Sequence, residues 1–569
     1  MAEARLDLVL LWHMHQPDFR DQASGEFLQP WVYLHALKDY SDMAAHLENH
    51  PGVRAVLNFT PVLLDQLEDY ADQFATARFR DPLLRLLARP DLGALDEGER
   101  DLILKWCFRA NHQKMLDPYP AYRRLYDYHD LARQHGSVGT SYLSAQYLGD
   151  LLAWYHIAWI GETVRRREPL FADLLAKAEG FSHEDRQGLV ALVGREVAAV
   201  IPRYRALAAR GQIELTSTPG CHPIGPLLMS FECAREATPA APLPAHPAYP
   251  GGRERAIAHI EAARESHARR FGEPPRGMWP AEGAVSTDFV HLLAQGGCRW
   301  FASGEGVLAN SLARAGSPVP ERGDSLYRPY RVGGDAGITG FFRDDRLSDL
   351  IGFEYAKWHS DDAATNFVEE LGALAKAAGD GPRPVVSIIL DGENAWEYYP
   401  YNGFYFLDAL YAALEAHPEI ATSTFAGIVD GNAEAVPLPG LVAGSWVYGN
   451  LTTWIGSPDK NRAWDLLCDA KLALDTRAAG GAVDAATLAA ATRQLADCEA
   501  SDWCWWFGDY NPSESVIAFD ALYRAKLSHL YRLIGLDPPA TLDQPVSRGR
   551  IEADGASDGG TVGAMRRAS

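Results

Sequence analysis

The stretch that most constrains the fold of this chain runs from Val386 to Asn394, where an apolar run ends abruptly in acidic residues. Residues 386–390 are all apolar or small, and Asp391 and Glu393 follow at once. A continuous apolar run of this length is typical of a strand that is buried on both faces, as in a parallel sheet. Active sites of parallel barrels lie at the carboxyl ends of such strands. The stretch therefore predicts a barrel strand that delivers carboxylates to a functional site.

A second acidic position lies upstream, in the stretch Met278 to Gly283. Here Glu282 comes just after a short extended segment and close to the large aromatic ring of Trp279. Two carboxylates that flank a scissile bond are the side chains on which most glycosidases depend. The two acidic positions together, each with aromatic neighbours, therefore indicate glycoside chemistry.

Seven short β-like runs alternate with longer helix-forming stretches, which predicts an α/β protein with an incomplete barrel over residues 1–440. Residues 63–210 read as a long helical insertion that packs over the barrel rim. Residues 441–540 predict a helical C-terminal bundle that contributes to the active-site cleft, and 541–569, rich in Gly, Ser, Ala and Asp, a disordered tail. The predicted strands are Leu6–Trp12, Val53–Phe59, Ile213–Ser217, Gly277–Trp279, Arg299–Ala302, Gly337–Phe342 and Val385–Leu390.

The net charge of the chain limits the classes of partner that it can bind. A formal charge of −22 and a pI near 5.3 argue against nucleic acid, whose phosphates require dense Lys and Arg, and leave a neutral substrate as the natural choice. The N-terminus lacks a basic region followed by an apolar core, and no apolar run is long enough to cross a bilayer, so we expect a cytoplasmic protein with no membrane partner. Seven cysteines without a C-x-x-C pair predict reduced thiols.

Three histidines follow predicted strands. His13 and His15 alternate along an extended segment, so both side chains can face one site, and His222 follows the third strand within a Pro-bounded turn. A pair of hydrogen-bonding or core histidines explains this pattern as well as a direct chemical role does. A zinc site is a further interpretation, but it needs a third protein ligand, and none stands at a diagnostic spacing.

Five sequence blocks resemble, in the same order, those of glycoside hydrolase family 57. The resemblance extends from Leu6 to Leu536 and is closest to the amylopullulanase and α-amylase branch, partly through 444–446 and 453–456. One departure is Gly220-Cys221, which stands where that branch often carries an aromatic pair, and it leaves linkage and chain-length preference open. The blocks are His13–Pro17, Gly211–Leu228, Trp279–Glu282, Leu390–Tyr399 and Ser501–Asp509.

The resemblance implies an incomplete (β/α)7 barrel followed by a helical region, acting on α-glucans with retention of configuration and without a cofactor or metal. Carried over to this chain, Glu282 is the expected nucleophile and Asp391 the expected acid/base. A retaining pair lies roughly 5–5.5 Å apart. Asp391 must start protonated, and we expect burial beside Trp396 and the charge of Glu282 to raise its pKa.

The expected substrate-binding residues surround this pair. His13, His15 and His222 would border the central sugar subsite, and flat aromatic rings would stack on pyranose rings, with core packing as the alternative for each ring. We expect Glu393, Asp344, Asp349 and Glu305 to bind loops rather than to act in catalysis. The remaining expected substrate-binding residues are Trp279, Trp396, Tyr398, Trp446, Trp503, Trp505 and Asp502.

These patterns favour a retaining hydrolase that cleaves α-1,4 bonds, with α-1,6 cleavage left open, in glycogen, starch or maltooligosaccharides. A 4-α-glucanotransferase or branching enzyme is the nearest alternative, because a sugar hydroxyl can intercept the same covalent intermediate. A zinc-dependent barrel glycosidase or deacetylase and a non-catalytic glucan-binding protein are more distant alternatives. The sequence leaves the oligomeric state open.

Overall fold

A closed ring of seven parallel strands forms the centre of the computed structural model, which describes residues 4–316, 321–334, 337–379 and 381–550. Strands β1, β2, β3, β4, β5, β7 and β8 pair in that order, and β8 returns to β1 and closes the ring. The described strands are β1 (Leu6–Met14), β2 (Ala55–Phe59), β3 (Ile213–Ser217), β4 (Gly277–Met278), β5 (Trp300–Gly304), β6 (Tyr330–Val332), β7 (Ile338–Arg343), β8 (Val385–Asp391), β9 (Ile420–Ser423) and β10 (Val436–Leu438).

The ring confirms the predicted fold class, an incomplete (β/α)7 barrel. Each of the seven predicted strands is present, with ends within two residues of the prediction. Strands β6, β9 and β10 were not predicted. They have three or four residues each and attach to the outside of the ring, β9 on β1 and β6 on β7 with β10 beyond it. Such short, partly exposed segments carry too few residues for a period-two pattern to stand out.

Helices surround the ring and fill the connections between its strands. Most of them follow the helix-forming stretches seen in the sequence. The described helices are α1 (Trp31–His35), α2 (Ser41–Asn49), α3 (Pro61–Thr76), α4 (Pro82–Ala88), α5 (Glu97–Trp106), α6 (Pro120–Arg133), α7 (Gly136–Ser141), α8 (Ala145–Ala158), α9 (Glu162–Arg167), α10 (Pro169–Lys177), α11 (His183–Ala209), α12 (Gly225–Met229), α13 (Gly252–Phe271), α14 (Thr287–Gln295), α15 (Glu305–Arg314), α16 (Arg322–Ser325), α17 (Asp345–Asp349), α18 (Ser360–Ala377), α19 (Phe404–Ala416), α20 (Phe425–Asp430), α21 (Pro458–Ala479), α22 (Ala485–Cys498), α23 (Asp502–Trp506) and α24 (Ser513–Leu533).

The stretch predicted as an insertion, 63–210, holds helices α3 to α11 between β2 and β3. Its longest helix, α11, begins at a capping box in which the Ser182 hydroxyl accepts from the Asp185 amide and the Asp185 carboxylate accepts from the Ser182 amide. Apolar residues of α11, among them Leu189 and Val193, are buried where the helix packs on α3 and α4. Burial of this apolar face, rather than helix propensity, holds so long a helix in place.

The C-terminal helices α21, α22 and α24 pack against one another, and the short helix α23 lies next to α21 and α24. One hydrophobic core runs without a break from the barrel, for example Leu8, through to Phe519 on α24. The boundaries drawn at 440 and 540 therefore stay predictions, because no change in packing marks them.

The predicted tail, 541–569, is wrong for its first ten residues, since 541–550 pack on the C-terminal helices. Leu542 and Val546 are buried, and the carboxylate of Asp520 accepts from the amides of Val546 (2.6 Å) and Ser547 (3.1 Å). A segment of this composition can be ordered where a buried acceptor, here Asp520, pairs with its main-chain amides. The rest of the predicted tail, 551–569, lies outside the described residues.

A search of the described helices for a membrane span found none that combines the necessary length with sufficient apolarity.

Replacing Leu542 by Ala tests the packing of this segment. We expect the free energy of unfolding to fall by about 2–5 kcal/mol, the usual loss when a buried Leu is truncated. Urea denaturation followed by circular dichroism measures the change, with Leu472→Ala, at a largely exposed position on α21, as the matched control. Equal stability of the two variants would show that the segment does not pack as described.

Candidate active site

The carboxyl ends of the ring strands bring the predicted site residues to one face of the barrel. His13, near the end of β1, pairs in register with Asn58 on β2 and with Asp391 at the end of β8. Glu282 stands in a short turn just after β4, and His222 follows β3. Because all these strands are parallel, their ends meet at a single mouth. The geometry thus joins residues from five distant parts of the sequence.

His13 and His222 form a hydrogen-bonded pair in the floor of the site. His13 Nδ1 donates to Asn58 Oδ1 (2.6 Å), so its Nε2 is left as an acceptor for the Nε2–H of His222 (3.1 Å). His222 Nδ1 then accepts from the Ser501 hydroxyl (2.8 Å). Burial, and next the charge of His15, lower the pKa of His13 to about 3, and burial lowers that of His222 well below its ordinary value. Both rings are therefore neutral, with fixed tautomers.

His15 connects the barrel to the C-terminal helices. Its Nδ1 lies 3.1 Å from Thr60 Oγ1, and its Nε2 lies 3.0 Å from a carboxylate oxygen of Asp502, the first residue of α23. The ring stacks on His222 with centroids 3.8 Å apart. The C-terminal region thus supplies part of the site wall, through Asp502 and through the Ser501 hydroxyl.

The group His15, His222 and Asp502 is close enough to consider as a metal site, since its potential ligand atoms lie within 4.8 Å of one another. A metal must lie near the plane of each imidazole, about 2.0–2.1 Å from the nitrogen. The two rings are stacked 3.8 Å apart with only 17° between their planes, so their lone pairs do not converge on one point. This stacking fits a row of hydrogen-bonding histidines rather than a preformed zinc site.

Glu282 is buried at the base of the site and is held by Trp446. The indole Nε1–H donates to Glu282 Oε2 (2.8 Å), and the Trp446 amide donates to the Glu282 carbonyl (3.1 Å). The backbone of Glu282 has φ +58, an uncommon conformation for a residue with a side chain. Such strain persists where the surroundings over-determine it, most often at functional sites.

Asp391 Oδ2 accepts a hydrogen bond from the side-chain amide Nδ2 of Asn394 (2.8 Å). Burial raises its pKa to about 6, against the lowering effects of Asn394 and of the charges on His15 and Arg343. Burial, and next the negative charge of Asp391, raise the pKa of Glu282 well above its ordinary value, against a lowering hydrogen bond from Trp446. Both buried carboxyls therefore bind a proton more tightly than an exposed acid does.

Two connected cavities are built around these residues. An inner pocket is lined by His13, His15 and the carboxylates, with His222 fully buried outside its lining, and it shares lining residues with an outer cleft of about 740 Å³. Asp391 and Asn394 line both, so Asp391 stands where the inner pocket meets the cleft, while Glu282 belongs to the inner pocket alone. A groove of about 930 Å³ in the helical insertion is larger, but it is walled mainly by alanines and other apolar side chains and lies away from these groups.

The predicted aromatic residues divide into two sets. Trp446, Trp505 and Tyr398 line the outer cleft, with Lys114 from the helical insertion on the cleft wall as well. The other three rings are at most 2% exposed and present no open face to a sugar: Trp279, Trp396 and Trp503. For these three the structure corresponds to the core-packing alternative.

The contacts of Trp396 show why its ring is closed to a sugar. Its indole N–H donates to the Gly392 carbonyl (2.9 Å), and its ring packs against Trp12 and Tyr399 behind the site. It therefore supports the turn that follows Asp391 instead of facing the cleft.

Glu393 is the residue that sequence reasoning set aside and the structure places in the inner pocket. Its Oε1 accepts from the His15 amide (3.0 Å), the Gln16 side chain (3.3 Å) and the Tyr40 hydroxyl (3.3 Å). Its buried Oε2 has no hydrogen-bond partner among the described residues. Burial, and next the charge of Asp391, raise its pKa well above the ordinary value. The sequence feature that could have indicated Glu393 is its position two residues after Asp391 at the end of a strand.

The other acidic residues set aside are bound by arginines, as expected for loop-binding carboxylates. Arg322 contacts both Glu305 and Asp344, and Arg343 contacts Asp349 (2.8 Å). Arg343 also lies over the ring of Trp446, 5.3 Å from its centroid.

Replacing Glu282 by Gln should stabilise the fold. A carboxyl whose pKa is raised on folding favours the folded state below its unfolded pKa and loses that contribution as pH rises through the folded value. The variant, which never ionises, should therefore gain a few degrees in Tm at pH 8 and almost nothing at pH 4. Calorimetry at pH 4, 6 and 8 measures this difference, and a gain that does not change with pH would contradict it.

Comparison with known proteins agrees with this architecture. The structure of a branching enzyme from Pyrococcus horikoshii is 15% identical, with a TM-score of 0.58 over 93% of this chain and 90% of that one. The α-amylase AmyC of Thermotoga maritima is 14% identical, with a TM-score of 0.55 over 94% and 93%. A 4-α-glucanotransferase of Thermococcus litoralis is 14% identical, with a TM-score of 0.50 over 93% of this chain and 60% of that one.

At these identities the three structures show a shared fold. The family is shown by the sequence itself, because the model of glycosyl hydrolase family 57 matches residues 9–436, well over half of the chain. This is the family that the five sequence blocks resemble. The chain therefore belongs to glycosyl hydrolase family 57.

Proposed function

We propose that this protein is a retaining enzyme that cleaves α-1,4 bonds of α-glucans, with Glu282 as nucleophile and Asp391 as acid/base. The observation that carries the proposal is the pair of buried carboxyls at the carboxyl end of the barrel, each with a raised pKa and both facing one pocket. Three structures that share the fold are named for action on α-glucans, as branching enzyme, amylase and glucanotransferase.

The positions of the two acids support this division of roles. Glu282 lies in the inner pocket with Oε2 held by Trp446, which leaves Oε1 to attack the anomeric carbon. Asp391 stands at the junction with the outer cleft, through which the leaving sugar departs. The pKa of Asp391, raised to about 6, suits a group that donates a proton to the leaving oxygen.

The reaction proceeds in two balanced steps. Glu282 attacks the anomeric carbon while Asp391 transfers its proton to the glycosidic oxygen, so a glycosyl ester forms and the leaving sugar departs as an alcohol. Asp391 then takes a proton from water, which attacks the ester and releases Glu282. A sugar hydroxyl in place of water would give transfer. His13, His15 and Asp502, which line the inner pocket, would border the sugar that reacts, with His222 packed behind His15.

The outer cleft supports a chain-like substrate. Trp446, Trp505 and Tyr398 offer ring surfaces along its wall, and ring faces of this kind bind pyranose units. Trp446 would then act twice, because it also holds Glu282.

Replacing either acid should remove turnover. Wild-type protein incubated with maltoheptaose and with pullulan should release new reducing ends, whereas Glu282→Gln and Asp391→Asn should lose about 10³-fold or more in rate. Reducing ends and product lengths are measured together. Glu214→Gln is the matched control, because Glu214 on β3 is another carboxyl with a raised pKa, to about 7, bound to Trp300 rather than to the site.

The same assay separates the candidate activities. Maltoheptaose redistributed into shorter and longer chains with few new reducing ends would identify a transferase or branching enzyme. Cleavage of pullulan would extend the activity to α-1,6 bonds. Full activity in Glu282→Gln would overturn the mechanism.

The alkaline limb of the pH profile should respond to Asn394. Its hydrogen bond lowers the pKa of Asp391, so Asn394→Ala should raise that pKa and move the alkaline limb of kcat/KM to higher pH. Initial rates between pH 4 and 9 measure the shift. A limb that stays in place, or moves to lower pH, would show that Asp391 does not supply the proton.

A further inference from the structure

Glu499 is a fully buried carboxylate that no step of the proposed reaction uses. It accepts hydrogen bonds from the Tyr249 hydroxyl (2.6 Å), from Nε and Nη2 of Arg255 (2.8 and 2.6 Å) and from His259 Nε2 (2.7 Å). Burial alone would raise the pKa of Glu499, but the hydrogen bonds from His259 and Arg255 and the charge of Arg255 lower it to about 2. The group is thus a permanently ionised, fully paired charge between α13 and the end of α22.

His259 connects Glu499 to the loop that carries His222. The Cys221 amide donates to His259 Nδ1 (3.3 Å), and the Gly220 amide donates to the His259 carbonyl (2.9 Å). Since Nδ1 accepts, the ring proton lies on Nε2, which donates to Glu499. The carboxylate therefore selects the tautomer that can hold the loop.

The close approach of the His259 ring explains why residue 220 is a glycine. A Cβ there would lie 2.1 Å from Nδ1 of His259, and the residue has φ +32. The absence of a side chain at Gly220 thus makes room for the contact with His259, which fastens the loop to α13.

The chain that follows Glu499 reaches the site directly. The Ser501 amide donates to the His222 carbonyl (2.9 Å), the Ser501 hydroxyl donates to His222 Nδ1 (2.8 Å), and Asp502 contacts His15. His222 is therefore held from two directions, through His259 on one side and through Ser501 on the other. Both sets of contacts lead back to Glu499, because its carboxylate accepts from His259 and Ser501 follows it by two residues in the chain.

We propose that Glu499 is a positioning residue that fixes His222 and Asp502 in the sugar site, through His259 and through the segment 499–502. The kinetic consequences rest on the proposed function. Without the charge, α13 and the segment 499–502 are no longer tied together, and His222 moves away from His13. Displacement of a positioned group by about 1 Å can reduce catalysis by about 100-fold.

The first test is Glu499→Gln, whose amide group places a donor against the donors of Arg255 and His259. We expect kcat/KM on the glucan that the wild type cleaves to fall about 10- to 100-fold, mainly in kcat. The matched control is Glu196→Gln, because Glu196 is also buried and paired with an arginine, Arg167, but lies on α11 in the helical insertion. Both variants should lose stability, and only Glu499→Gln should lose kcat. Equal kcat in the two folded variants would overturn the proposal.

The second test uses Gly220→Ala, which pushes against the His259 ring without touching Glu499. Gly211→Ala is its control, since Gly211 also has positive φ but has free space around it. Gly220→Ala should lower kcat and Gly211→Ala should not. Because both changes act through His259, the loss in the double variant Gly220→Ala/Glu499→Gln should be smaller than the product of the single losses. Multiplied losses would overturn the shared route.

A third readout does not depend on turnover. Crystal structures of the wild type and of Glu499→Gln should show the His13 Nε2–His222 Nε2 separation growing from 3.1 Å to beyond hydrogen-bond reach. An unchanged separation would overturn the positioning role. If the wild type cleaves no α-glucan, the proposed function fails, while this comparison still decides the role of Glu499.

Discussion

The parallel register of β1 with its two neighbours is the constraint on which the site depends. It sets His13, Asn58 and Asp391 at one level, so that the His13 ring reaches Asn58 and the Gly392 amide donates to the His13 carbonyl (2.7 Å). A slip of one residue in either pairing would turn every side chain of that strand to the other face. Both faces of β1 are buried, with Leu8 and Trp12 in one core cluster and Val9 and Leu11 in another, so a slip would repack both clusters, and core packing and site geometry are specified together.

Buried carboxylates occur in two kinds of surroundings in this protein. Glu499 is surrounded by donors and fully paired, which is how a structural charge is kept in an interior. In the part of the chain that the structure describes, Glu282, Asp391 and Glu393 lack an arginine partner of this kind, and burial raises the pKa of each. The first arrangement favours stability. The second gives up stability at high pH and lines the pocket with carboxyls that bind protons tightly.

Strand positions and strand-end acids could be predicted because both are local. An apolar run and the residue that follows it are visible in a few letters, and for that reason the barrel strands were predicted and Glu282 and Asp391 were placed at strand ends. Burial of an aromatic ring is not local. Trp396 lies under Trp12, from the far end of the chain, and only the fold shows which side of the site it occupies. Glu393 was missed for a related reason, since its neighbours come from β1 and the helices after it.

The contact between His15 and Asp502 joins positions separated by 487 residues. During synthesis, the barrel strands that carry His15, Glu282 and Asp391 leave the ribosome before α23 exists, so a nascent barrel has an open inner pocket without Asp502 or the Ser501 hydroxyl. The site is completed only when the C-terminal helices dock. Premature termination before residue 502 therefore yields a chain that carries Glu282 and Asp391 but lacks the part of the pocket wall that the C-terminal helices supply.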